Sequence, residues 1–126
     1  MAKGHQQHRE HLEAVSSFGK SIGKRAGFRC EWCGGDEGLR LWEYRPDEEP
    51  VPENLALLCE PCRTLADGKS ADPHLLRSLR NALWSDVPAI SEGAAVVLAR
   101  LREPWVREAI EESFIDEELK ARLLRS

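Results

Sequence analysis

Apolar residues at helical spacing predict a helix over residues 9–27, near the N-terminus. The residues of its apolar face are separated by about one or two helical turns: Leu12, Val15, Ile22 and Ala26. Phe18 lies beside this face, and Gly27 follows as a residue type that commonly ends helices. We therefore expect one amphipathic helix in this part of the chain.

A β-hairpin is predicted in the middle of the chain. Residues 39–45 alternate in polarity and are rich in aromatics, which predicts a strand, and residues 55–58 form a short apolar run typical of a buried strand. Three prolines between residues 46 and 52 exclude a strand ladder there and predict a loop. Pro61 suits the first turn of a following helix, because its missing N–H costs nothing there, and Gly68 is expected to end that helix.

Helices are predicted throughout residues 72–124. Leucines recur there with the period of a helix: Leu75, Leu76, Leu79 and Leu83. The predicted boundaries are an N-cap at Asp72, a break over residues 85–88, a resumption over residues 94–101, a start at Pro104 and a cap at Asp116.

These elements predict an α+β fold that is mostly α-helical, in a single domain spanning residues 1–126. The N-terminal helix (residues 9–27) precedes a small treble-clef or zinc-ribbon β-hairpin unit, the cysteine unit (residues 28–70). A C-terminal helical bundle (residues 71–126) completes the expected fold.

The composition is that of an ordinary globular protein, with 41% hydrophobic and 32% charged residues. No apolar run approaches the roughly 20 residues that span a bilayer, and the first residues lack the apolar core of a secretory signal. We therefore expect a cytoplasmic protein, whose thiols stay reduced.

Charge is distributed unevenly along the chain. Residues 1–29 hold six basic and two acidic residues, whereas residues 30–62 hold two basic and nine acidic ones. The remaining residues are nearly neutral, and the whole chain carries −4. The acidic middle segment opposes binding of a phosphate backbone, which requires lysine and arginine.

Four cysteines form two C-x-x-C pairs: Cys30 with Cys33, and Cys59 with Cys62. Two residues between cysteines let both thiolates reach one ion, and two such pairs complete the tetrahedral sulfur shell that Zn²⁺ prefers. The sequence therefore predicts one structural zinc ion per chain. A redox motif, a pair of disulfides and an iron site are the alternatives; the first lacks a βαβ pattern, and the second lacks a secretory signal.

Tryptophans are predicted to play two different roles. Trp42, Trp84 and Trp105 each lie next to apolar residues and are expected to anchor the core. Trp32 lies between the first two cysteines, where side chains tend to point outward. We therefore expect Trp32 to be an exposed contact residue, since exposed aromatics favour binding.

The order C-x-x-C, hairpin, then Asn54 in N-L-x-x-L-C-x-x-C resembles the treble-clef fold of HNH endonucleases. Those enzymes place a catalytic histidine and a metal-binding Asp or His near the end of the first strand, and another histidine after the last cysteine. Trp42, Glu43 and Arg63 occupy these three positions here. The resemblance therefore implies a nuclease scaffold that lacks the catalytic histidines.

A second resemblance covers nearly the whole chain. The cysteine unit followed by Trp-Ser-x-Val-Pro-Ala at residues 84–89 is similar to PhnA-like bacterial proteins, whose N-terminal region is described as a zinc ribbon. In that family this segment joins two helices, and Trp105 and the acidic residues 116–118 match the part that follows. The resemblance implies the fold and a zinc ion, but it defines no activity.

The favoured interpretation is a non-catalytic zinc-binding protein that acts through its surface, with a protein or a nucleic acid as partner. The second half of the first helix and the short segment just past it carry a basic set that would favour nucleic acid: Lys20, Lys24, Arg25 and Arg29. The acidic cysteine unit opposes this, so a protein partner is slightly favoured, and a homodimer through an apolar patch of the C-terminal helices is a further option.

The alternative is an enzyme, either a divergent HNH-like nuclease using Glu43 and Asn54 or another metal-dependent hydrolase, such as a phosphonate-related one. The missing histidines weigh against it. His5, His8 and His11 recur every third residue, but a chain terminus seldom holds a metal site, so we assign no metal to them.

Overall fold

A computed structural model describes residues 2–125 of the chain, with side chains from residue 8 onward. The elements in chain order are α1 (Ala2–Ser17), α2 (Gly19–Ala26), β1 (Arg40–Glu43), β2 (Leu55–Leu58), α3 (Glu60–Ala66), α4 (Pro73–Ala82), α5 (Pro88–Leu98), α6 (Pro104–Glu112) and α7 (Glu117–Leu124). The predicted class, α+β and mostly helical, is confirmed.

The single helix predicted over residues 9–27 is in fact two helices that meet at Phe18. The Ser17 hydroxyl donates to the Ala14 carbonyl at 2.6 Å, and Gly19 follows the junction. A hydroxyl bonded to a carbonyl of the preceding turn and a neighbouring glycine both disfavour a continuous helix. The helix is therefore interrupted at Phe18, although the apolar residues keep their helical spacing across the break. Gly27 ends α2 as predicted, with φ +65°, a left-handed conformation that suits glycine.

The two strands form an antiparallel hairpin in which Arg40 lies opposite Leu58 and Glu43 lies opposite Leu55. The first strand is shorter than the predicted 39–45. All four β2 residues are buried because both faces of the hairpin are covered. One face packs against α1 and α2 through Val15 and Ile22, and the other face joins the main core.

Proline and aspartate place most helix boundaries where the sequence predicted them. Asp72 and Asp116 accept hydrogen bonds from the first turns of α4 and α7. Pro61 and Pro104 lie in the first turns of α3 and α6. The helix expected over residues 94–101 begins earlier, at Pro88. Proline is tolerated in the first turn of a helix, so Pro88 starts α5 just as prolines lie in the first turns of α3 and α6.

Helix α5 is the centre of the main core. Nine of its residues are buried, and it packs against α4, α3, α7 and β2. The same apolar cluster contains Trp32 and Leu58 of the cysteine unit and Val106 and Leu119 of the C-terminal helices. The cysteine unit and the helical bundle therefore share one core.

Two tryptophan predictions are wrong, and they are wrong in opposite directions. Trp32 is buried, 5% exposed, and its indole N–H donates to the Ile90 carbonyl at 3.1 Å, because α5 covers the turn that carries it. Trp84 is 45% exposed, since the corner between α4 and α5 turns it away from the core. Trp42 and Trp105 pack against the core as expected, each partly buried.

Candidate metal centre

The first cysteine pair lies in a tight turn formed by residues 30–35. The Cys30 N–H donates to the Gly35 carbonyl at 2.7 Å, and the Gly34 N–H donates back to the Cys30 carbonyl at 2.9 Å. Gly34 has φ +79°, a conformation that a residue with a Cβ rarely adopts. This turn aims the N–H groups of Trp32 and Cys33 at the Cys30 sulfur, at 3.4 and 3.5 Å.

The second pair is delivered by the end of the hairpin and the start of α3. Cys59 directly follows β2 and is the N-cap residue of α3, and Cys62 lies in the first turn of that helix. The Glu60 N–H donates to the Glu37 carbonyl at 2.9 Å, which ties the start of α3 to the segment after the first pair. The two pairs therefore face each other.

The structure brings together all four predicted ligands. Their sulfur atoms lie within 4.8 Å of one another, and the sulfurs of Cys33 and Cys59 are 3.5 Å apart. A zinc ion with bonds of about 2.3 Å in tetrahedral geometry separates its sulfur ligands by about 3.8 Å. All four thiols are free, three of them buried and Cys33 half-buried. The cluster can hold a metal ion and is compatible with structural zinc.

The surroundings of three of the four thiols shift their pKa values. The Cys62 thiol and nearby N–H groups donate to the Cys30 sulfur and lower the pKa of Cys30 to about 4 despite its burial. Burial raises the pKa of Cys59 to about 11, and the hydrogen bond to Cys30 together with burial raises the pKa of Cys62 further. One thiolate forms readily, so full deprotonation of the set requires a positive ion at its centre.

The buried carboxylate of Glu31 links the first cysteine turn to the hairpin through hydrogen bonds. The sequence did not predict this role. The Glu31 carboxylate, 6% exposed, accepts from the Leu57 N–H at 2.8 Å, and the Glu31 N–H donates to the Leu57 carbonyl at 2.8 Å. Arg25 donates to both carboxylate oxygens at 2.9 and 2.7 Å. No local sequence signal marks partners so far apart in the chain.

The predicted basic set is therefore reduced. Besides its ion pair, the Arg25 guanidinium donates to the carbonyls of Pro52 and Leu55 at 3.0 and 2.7 Å. Lys20, Lys24 and Arg29 are exposed. The predicted set thus loses Arg25, and Arg29 is partly engaged because it donates to the Gly34 carbonyl at 3.4 Å.

The residues that the HNH resemblance singled out make other contacts. Trp42 packs against Trp32 with ring centroids 5.3 Å apart. Arg63 donates to the carbonyls of Gly38 and Leu58 at 2.5 and 2.7 Å. The Asn54 amide donates to Glu48 at 3.3 Å. Glu43 instead contacts the ring of His11 from α1, with Oε1 and Nε2 2.5 Å apart.

The N-terminal histidines do not gather into a metal cluster in the part of the chain that is described. The His5 side chain lies outside the described residues, His8 is exposed, and His11 is paired with Glu43. Among the described residues, the four cysteines are the one group with metal-binding geometry.

None of the described helices combines the length and apolar character needed to cross a bilayer.

Comparisons with known proteins leave the family open. The chain matches no family model, no curated protein and no solved structure. The resemblances to PhnA-like proteins and to HNH endonucleases therefore stay predictions, based on the motifs quoted above.

Proposed function

We propose that this chain is a non-catalytic, PhnA-like cytoplasmic protein with one structural zinc ion, acting as a binding module for another macromolecule. The observation that carries the proposal is the cluster of four cysteine sulfurs within 4.8 Å. Four protein ligands fill a tetrahedral shell, so no position stays open for a water nucleophile or a substrate. Zinc held in this way stabilises the fold.

A protein partner is favoured over nucleic acid. The segment that carries the cysteines holds nine acidic and two basic residues. Arg25 makes four hydrogen bonds, two to Glu31 and two to backbone carbonyls, so at most one of its five N–H donors is left for a phosphate. Because affinity for nucleic acid depends on cations that release counterions, this surface suits a polyanion poorly.

An enzyme remains the second candidate because of one contact. Glu43 occupies a functional position of the HNH scaffold, and it lies against His11. A histidine oriented by a carboxylate can accept a proton from water or a hydroxyl group. Such a dyad would support a divergent nuclease or another hydrolase that recruits its histidine from the N-terminal helix.

The first experiment measures metal content and binding on the same purified, untagged chain. We expect one zinc per chain and no salt-dependent binding to single- or double-stranded DNA or RNA. A substoichiometric metal content would contradict the structural site. Steep salt dependence, lost when Lys20, Lys24 and Arg29 are replaced by alanine, would show a nucleic-acid module instead.

A cleavage assay separates the enzyme from the binding module. DNA and RNA are incubated with the zinc-loaded chain and added magnesium. We expect no cleavage by the wild type. Cleavage that is lost in both His11→Ala and Glu43→Ala, but kept in His8→Ala, would establish the dyad as an active site and overturn the non-catalytic proposal.

A further inference from the structure

Two large aromatic side chains are exposed side by side at one corner of the helical bundle. Phe114 is 88% exposed and Trp84 is 45% exposed. Their ring centroids are 5.4 Å apart with an edge-to-face angle of 70°. Scattered exposed apolar residues are common, whereas a contiguous aromatic pair is typical of the centre of a protein interface.

The backbone holds Phe114 in place although its ring is exposed. Its neighbours Ser113 and Ile115 are both buried. The Ser113 hydroxyl donates to the Ile110 carbonyl at 2.6 Å, and the Lys120 ammonium donates to the Ser113 carbonyl at 2.7 Å. The ring therefore projects from an anchored backbone, so only its side-chain torsions lose freedom when it is covered.

Trp84 also lines an open groove, which we call the aromatic groove. Its apolar walls come from two parts of the chain, the cysteine unit with α2 and the corner between α4 and α5: Ala26, Trp32, Ala82, Trp84 and Ile90. The groove is open to solvent and has a volume of about 460 Å³, which is within the range of sites that take up a small ligand, roughly 300–1,000 Å³. One aromatic ring fits in this space.

The charges of the groove exclude a polyanion as its occupant. Its two charged lining residues, Arg25 and Glu31, form an ion pair, and the Arg25 guanidinium also donates to a backbone carbonyl. The remaining polar lining residues, Asn81 and Ser85, are neutral. The groove is therefore neutral overall, and its apolar wall, formed by Ala26, Trp32, Ala82, Trp84 and Ile90, can pack against an uncharged side chain of a protein.

The projection and the groove are neighbours on the same surface, joined by Trp84. A surface that carries both a projection and a matching groove is complementary to a second copy of itself turned by a two-fold axis. We propose that this chain forms a two-fold symmetric homodimer in which Phe114 of each copy occupies the aromatic groove of the other. This inference rests on the proposed function, because it names the protein partner as a second copy.

Flanking charges agree with this arrangement. Exposed Glu111 and Glu112 directly precede the segment that carries Phe114. Exposed Lys24 and Arg29 flank the chain segment that forms the groove wall at Ala26. Inserting Phe114 into the opposite groove brings an acidic segment to a basic one, twice in each dimer. Such complementarity fixes orientation more than it adds affinity.

The test is sedimentation equilibrium of the zinc-loaded full chain over a wide concentration range. We expect a monomer–dimer equilibrium for the wild type. Phe114→Ser should raise the dimer dissociation constant at least about 100-fold, because an aromatic anchor is lost twice. The matched control is Leu12→Ser, which removes another exposed apolar side chain, 49% exposed, from α1 and should leave the equilibrium unchanged.

A mixing experiment tests the geometry. Asn81→Arg places a bulky cation in the groove and should also give a monomer. Mixed in equal amounts, Phe114→Ser and Asn81→Arg chains should associate more tightly than either alone, since one intact projection then meets one intact groove.

A monomeric wild type at every concentration would overturn the dimer, as would a dimer that Phe114→Ser leaves unchanged or a mixture no tighter than its parts. Zinc content is measured on each sample. A monomer that holds one zinc would overturn the dimer and leave the proposed zinc module standing, whereas a chain without zinc would overturn the module itself.

Discussion

Single side chains in this protein take their roles from partners far away in the chain. Glu31 is buried because Leu57 and Arg25 satisfy its carboxylate. Tyr44 keeps its hydroxyl partly buried because it donates to Glu92 at 3.2 Å. Each cysteine can serve as a metal ligand because the hairpin and α3 bring the other pair within reach.

Replacing one ligand should release the metal. Cys59→Ala leaves three sulfurs, and we expect loss of zinc and a fall of at least about 3 kcal/mol in the free energy of unfolding, since metal binding is coupled to folding. Atomic spectroscopy measures the metal, and circular dichroism follows unfolding. The control is Glu60→Ala, the exposed neighbour. In excess chelator both variants lack the metal, so their free energies of unfolding should become equal. An unchanged melting temperature for Cys59→Ala without chelator would refute the site.

The ionisation of Tyr44 can be followed alone because it is the single tyrosine in the chain. Partial burial, followed by the charge of Glu92, raises its pKa above the ordinary value of 10.0. The folded state therefore keeps the phenol proton at a pH where the unfolded chain has lost it. This contribution to stability is fully present below about pH 10 and is lost as the pH rises through the folded pKa.

Phenolate absorbance measured against pH checks this expectation. The midpoint should lie higher for the folded protein than for the chain in denaturant, and Glu92→Gln should lower it by removing the negative charge. Identical midpoints for the folded and denatured chains would show that Tyr44 is not shielded by the core.

At the scale of elements, α5 is the helix through which the cysteine unit packs against the other helices. A Cβ built on Gly93 would lie 3.0 Å from the Trp42 ring and 3.3 Å from the Trp32 ring. Glycine in a helix interior costs roughly 1 kcal/mol relative to alanine. The helix tolerates this cost because the missing side chain lets two tryptophans of the cysteine unit approach its backbone.

Filling that space should loosen the contact between the helix and the cysteine unit. We expect Gly93→Leu to lower the free energy of unfolding by at least about 2 kcal/mol, because the new side chain must displace both indole rings. Chemical denaturation provides the measurement. The same change at Gly19, whose nearest neighbour would be the Leu41 side chain at 4.0 Å, should alter stability by less than about 1 kcal/mol. Equal effects at the two glycines would contradict the packing argument.

At the scale of the whole molecule, the metal centre and the helical bundle share one apolar cluster. Cys62 and Leu65 of the cysteine unit belong to the same cluster as Leu79, Leu98 and Ile110 of the helices. Neither part can bury these side chains alone. Loss of the metal centre should therefore also destabilise helices that contact no cysteine.

Removing the metal should destabilise the entire fold in one step. We expect thermal unfolding of the zinc-loaded chain to be a single transition, seen equally by helical circular dichroism and by tryptophan fluorescence. Excess chelator should lower the midpoint of both signals together. Two separate transitions, with the helical signal unaffected by chelator, would show that residues 71–126 fold independently.

The sequence by itself determined the four candidate ligands and most element boundaries, because these depend on neighbours a few residues apart. The C-x-x-C spacing specifies a tight turn, Asp72 and Asp116 cap the helices that follow them, and Gly27 ends α2. Local geometry also explains the apolar period of α4.

Only the tertiary structure decided which side chains are buried and which are exposed. Trp32 and Trp84 both have apolar neighbours in the sequence, yet α5 covers the first and a helix corner exposes the second. The hydrogen bonds of Glu31 to Leu57 and the contact between His11 and Glu43 likewise depend on where other elements pack. Burial is a property of the assembled elements, so no local pattern determines it.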